Sequence, residues 1–82
     1  MKSQIFTSAI YNRFKIKFLY GLQEIVLDPY FLSYDQKGQK VIYGKTNLSN
    51  EIRKYEFARI ANIKVLYRNR FSPILPIASR VN

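Results

Sequence analysis

The chain has 82 residues, with fourteen Lys and Arg against five acids for a net charge of +9, and it contains no cysteine, histidine or tryptophan. That length leaves room for one core and no second domain, and the missing cysteines exclude disulfides, thiolate metal sites and cysteine nucleophiles. An apolar fraction of 48% with seven Tyr and six Phe argues against a disordered polycation.

In chain order, Ile5, Phe6, Ala9 and Ile10 fall on one helical face and predict a short helix over 3–12, with Ser3 as its N-cap. Phe14, Ile16, Phe18 and Tyr20 then alternate with Lys15, Lys17 and Leu19, which predicts a half-buried strand over 14–20 ending at Gly21. A second strand is expected at about 24–32, where Pro29 implies an edge position, a bulge or a bend. Asp35 to Gly38 carry a turn signal, so 40–46 reads as a third strand hairpinned to the second, and Gly44 within it suggests a bulge or a close backbone approach. Fourth and fifth strands are expected at 52–57 and 60–68. Residues 1–71 form a single domain in this reading, and 72–82, with Pro73 and Pro76, an extended but apolar tail.

Five short strands behind one helix predict a mainly β fold: a small five-stranded barrel of the SH3-like or Sm-like kind, closed so as to abolish its edges. The N-terminus has no uninterrupted apolar stretch followed by a cleavage site, and nowhere do about 18 apolar residues run together, so a soluble, cytoplasmic protein with no membrane partner is expected.

The positive charge is unevenly placed. Residues 1–35 carry four basic and three acidic side chains, whereas 36–82 carry ten and two. Such a field concentrates nucleic acid, nucleotides or other anions near the second half of the chain. Catalysis is not expected: without histidine the commonest general base is gone, and Glu24, Asp28, Asp35, Glu51 and Glu56 are scattered singly. The glycines form no phosphate-cradling loop. No cofactor or metal is implied.

The strongest local signal is Arg53-Lys54-Tyr55-Glu56-Phe57-Ala58-Arg59-Ile60. On a regular strand Arg53, Tyr55, Phe57 and Arg59 share one face, with the aromatics packed as core and an arginine at each rim. An arginine's planar fork can hold a phosphate in two hydrogen bonds, which a lysine cannot. Six extended residues span ~20 Å, however. Either the strand bends near Ala58, or the arginines serve different parts of a long polyanion, or only one belongs to a site.

Taken with Ala9-Ile10, Ile16-Lys17-Phe18-Leu19-Tyr20, Asp28-Pro29-Tyr30-Phe31-Leu32 and the turn at Gly38, this run resembles the WYL domain, over roughly Ser8 to Phe71. Where that family has its Trp-Tyr-Leu triplet, this chain has Lys40-Val41-Ile42, so the aromatic pair is replaced. The resemblance implies a stand-alone regulatory module that binds single-stranded nucleic acid or a nucleotide-like anion and pairs with a second copy. It implies Arg53 and Arg59 as phosphate ligands, with Lys40 adding charge at the first triplet position. Tyr30, Tyr43, Lys45 and Lys54 join the candidate site by proximity in the strand scheme. The competing expectation is a structural interaction module, a homodimer or a subunit of a larger complex, that docks through the apolar segment Phe71 to Ile77.

Overall fold

A computed structural model describes residues 1–46, 49 and 51–71, Asn69 through its backbone alone. The expected extended tail at 72–82, and with it most of the proposed docking segment, lies outside the described residues. Within them the order is α1 (Lys2–Asn12), β1 (Phe14–Tyr20), β2 (Gln23–Tyr34), β3 (Lys40–Thr46), β4 (Ile52–Glu56), a 3-10 turn (Phe57–Arg59) and β5 (Ile60–Arg70). The helix begins ahead of the expected cap at Ser3: Met1 occupies the cap position and no side chain caps the helix. It ends at Arg13, whose left-handed backbone at φ 65° turns the chain directly into β1.

All strand pairings are antiparallel, in the order β4-β3-β2-β1-β5. The expected closed barrel is therefore corrected to an open sheet: β4 and β5 are its edges, and no ladder joins them among the described residues. The physical reason lies at the corner between them. Three residues of 3-10 turn carry the chain from one edge to the other, so the two edges meet there and are fastened by side chains instead of by backbone pairing. The N–H of Glu56, which a closed sheet would engage in a ladder, donates instead to the Tyr20 hydroxyl at 3.1 Å.

The sheet curls strongly even so. Across its concave face the Tyr55 ring of β4 meets Phe18 and Tyr20 of β1, with centroids 5.5 and 4.9 Å apart, both edge-on. Register explains which side chains share that face: Ile42 pairs with Tyr55, Leu27 with both Ile16 and Thr46, and Ile25 with Phe18. With Phe6, Ala9 and Ile60, the apolar members of these pairs form the core. The helix closes one end of the concavity, where Phe6 packs edge-on against Phe57 at 5.0 Å and Lys2 Nζ donates to the Phe57 carbonyl at 2.5 Å. Burying Phe6 alone contributes about 2 kcal/mol of transfer free energy.

Two irregularities set the faces. Pro29 lies in the central strand β2, not at an edge, and the register shifts between Pro29 and Phe31. This bulge absorbs the missing amide of proline, and it swaps the sides of the residues that follow: Leu32 pairs with Ile42 on the core side while Phe31 pairs with Tyr43 on the outer side. Gly44 opposes Pro29, and a Cβ at that position would collide with the Asp28 carbonyl oxygen. The close backbone approach expected from the glycine is thus present.

The β2–β3 hairpin is closed by its own side chain. Asp35 Oδ1 accepts from the amides of Lys37 and Gln39, each at 2.9 Å, and Gly38 supplies the positive φ of 78° that the turn needs. These amide donors, that of Gln39 above all, hold the Asp35 carboxyl below its ordinary value.

Candidate functional site

Because the sheet does not close, the concave face keeps a mouth at the end away from α1. The gap between the β1–β2 hairpin and the start of β4 is a cleft of about 620 Å³ lined by Tyr20, Gln23, Ile25, Thr46, Ser49, Arg53, Lys54 and Tyr55. Each wall has a cause in the register. Tyr20 and Gln23 are the last pair of the β1–β2 ladder before a two-residue turn, and Arg53 pairs with Gly44, two residues along from the core pair Ile42–Tyr55, which puts it on the concave side. Gly44, opposite Arg53, brings no side chain to the cleft, and the space above it is filled by the Asp28 carbonyl and the Leu27 side chain.

The lining contains two cations and no acid. Aromatic surface comes from Tyr20 and Tyr55, and neutral polar groups from Gln23, Thr46 and Ser49. Burial raises the Tyr55 hydroxyl's pKa above its ordinary value of 10.0; Arg53 opposes that rise and neighbouring Tyr20 adds to it. Tyr55 is therefore a neutral hydroxyl at physiological pH. The lining thus combines positive charge at Arg53 and Lys54 with hydroxyl and amide groups, while Tyr55 is itself a core residue, 7% exposed, and the Tyr20 ring carries the Arg59 guanidinium.

The other candidate arginine arrives by a different route. A regular strand from Arg53 to Arg59 does not exist, because β4 stops at Glu56 and Phe57–Arg59 form the 3-10 turn. The shared face expected for Arg53, Tyr55, Phe57 and Arg59 is corrected accordingly: Phe57 packs against Phe6 of α1, and Arg59 turns back over β1. Its Cζ lies 4.6 Å from the centroid of the Tyr20 ring. The chain does bend after Glu56, but of the two arginines only Arg53 lines the cleft. Both arginines are associated with the same tyrosine cluster, Arg53 within the cleft lining and Arg59 on the Tyr20 ring, although Arg59 is not itself a lining residue.

The remaining candidates divide. Lys54 lines the cleft. Lys40 lies at the opposite end of β3, with Nζ 3.2 Å from Ser3 Oγ of α1, and is not brought to the arginines. Lys45 pairs with Ile52 and Asp28 on the outer side of the sheet, and Tyr43 stacks there on Phe31 with centroids 4.8 Å apart. Tyr30 is buried and stacks on Phe71 at 5.9 Å, away from the cleft. Conversely, Tyr20, Gln23, Thr46 and Ser49 line the cleft without having been singled out. Tyr20 carries a signal in the sequence, as the last apolar residue of a strand before a glycine turn, but that pattern does not reveal which distant strand it meets.

No protein-family model, curated protein or solved structure matches this chain. Among the described residues no helix is long and apolar enough to cross a membrane, and no group of three or more His, Cys, Asp or Glu is placed to hold a metal ion.

Proposed function

We propose that the chain is a binding module for single-stranded nucleic acid or a nucleotide-like anion, and that the cleft beside Tyr20 and Tyr55 is where it binds. The observation that carries this reading is the composition of the lining: Arg53 and Lys54 with no carboxylate, over two tyrosine rings. A phosphate placed at Arg53 leaves the attached base within reach of the ring surface. Arg59 contributes by holding Tyr20 in place and adding positive potential behind it. The absence of histidine and the scattering of the acids favour a binder over an enzyme.

Fluorescence polarisation with labelled single- and double-stranded oligonucleotides at several salt concentrations tests this. If about four phosphates are contacted, the log–log salt slope for single strands is about −3. Arg53→Ala weakens binding by at least about tenfold, the value of one charged phosphate contact. Unchanged affinity in Arg53→Ala would remove the cleft from the binding site, and no binding at low salt would end the nucleic-acid reading.

A further inference from the structure

The outer side of the sheet carries a second aromatic surface that the cleft does not use. Phe31 and Tyr43 are directly paired across β2 and β3, and their rings are stacked, 4.8 Å between centroids and 20° between planes. Both would be ordinary strand residues but for the bulge after Pro29, which sends Phe31 outward and leaves it 44% exposed. Beside the pair is a recess of about 410 Å³ lined by Tyr34, Asp35, Gln36, Lys37, Tyr43, Lys54 and Glu56. Lys45, two residues from Tyr43, shares its side of the strand. Of the two acids in the recess, Asp35 has an oxygen engaged by the hairpin's own amides.

Lys54 connects this surface to the cleft. It lines both the recess and the Arg53 cleft, which is possible because β4 is an edge strand. The two surfaces meet at Lys54, whose partner across the β3–β4 ladder is Tyr43, so a flexible polyanion with a phosphate at Lys54 can pass from one to the other.

Resting on the reading of the cleft given above, we propose that the occupant of this outer surface is the continuation of the same single strand: it leaves the cleft over the β4 edge at Lys54 and stacks a base on the Phe31–Tyr43 pair. The ligand is then an oligonucleotide spanning two faces and not a lone nucleotide. Duplex is excluded because its bases are stacked on each other and cannot reach either set of rings. Stacking on aromatic side chains tolerates any base, so little sequence preference is expected.

The test compares thymidine monophosphate with an oligothymidylate of about eight nucleotides, within the range that one small β domain covers. The chain has no tryptophan, so Phe31→Trp places a single fluorescent reporter on the outer surface. The emission of that indole is quenched as the oligomer saturates, as judged in parallel by polarisation, and is unchanged by the mononucleotide. Tyr43→Ala weakens the oligomer by about tenfold, in line with the loss of one stacked base, and leaves the mononucleotide unaffected, while Tyr43→Phe binds as wild type does. An oligomer that binds through Arg53 yet neither quenches the indole in Phe31→Trp nor responds to Tyr43→Ala would overturn the outer surface alone. Oligomer binding insensitive to Arg53→Ala, or no oligomer binding at all, would overturn the cleft and this extension together.

Discussion

The guanidinium of Arg59 lies over the ring of Tyr20, 4.6 Å from its centroid, and the hydroxyl of the same Tyr20 accepts the backbone N–H of Glu56 at 3.1 Å. One side chain of β1 thereby holds both ends of the 3-10 turn that joins the two edges of the sheet. Arg59→Ala removes the cation from the ring at an exposed position, so urea denaturation should show a loss of about 0.5–1 kcal/mol. Tyr20→Phe keeps the ring but leaves the Glu56 amide without its acceptor, and its loss should be about 1 kcal/mol or more.

Gly44→Ala tests the close approach between β3 and β2. The added methyl group meets the Asp28 carbonyl oxygen and the Leu27 side chain, and backbone cannot move aside as a side-chain end can. A destabilisation of about 1–3 kcal/mol is expected by equilibrium denaturation.

The raised pKa of Tyr55 has a defined sign. A group whose folded value lies above its unfolded value adds stability that is complete below the unfolded value, 10.0, and is lost as pH rises through the folded value. Ultraviolet titration of wild type against Tyr55→Phe should place this ionisation above the ordinary tyrosine range. Because Arg53 opposes the rise, Arg53→Ala should move it higher still; a downward movement would mean that Arg53 does not face Tyr55.

Lys17 and Lys64 stand directly opposite each other on β1 and β5, and Glu24 lies 3.7 Å from Lys17 on the far side of that pair. Like charges facing across a ladder destabilise it, so Lys64→Glu should stabilise the fold by about 0.2–1 kcal/mol at low salt, with the gain shrinking as salt is added. Thermal denaturation at two ionic strengths measures this.

How much of this was legible in the sequence depended on how local its cause was. The alternation of Phe14 to Tyr20 marks one strand at its observed bounds, and the turn before Lys40 marks the next, Lys40 to Thr46, at its own. Asp35 and Gly38 announce their turn through their own backbone chemistry. The gap between the expected strands at 52–57 and 60–68 is where the 3-10 turn lies, but the period-two run of Arg53, Tyr55, Phe57 and Arg59 gave no sign that Phe57 and Arg59 leave the face of the other two. The outward turn of Phe31 was hidden likewise: counting by twos from Leu27 puts it inside, and only the bulge after Pro29 puts it out. Closure was the largest misreading, because strand number alone does not determine it. Whether β4 and β5 pair depends on the curl of the whole sheet, and here the aromatic contacts of Tyr20 and Tyr55 take the place of a final ladder.

The central claim is that an anion with a planar portion binds between Tyr20 and Arg53. The most direct measurement is amide chemical-shift mapping by nuclear magnetic resonance as unlabelled oligothymidylate is added to the isotope-labelled chain. The cleft predicts large changes at Tyr20, Gln23, Thr46, Arg53, Lys54 and Tyr55, with α1 unaffected. Changes centred on α1, or none at saturating oligonucleotide, would contradict it.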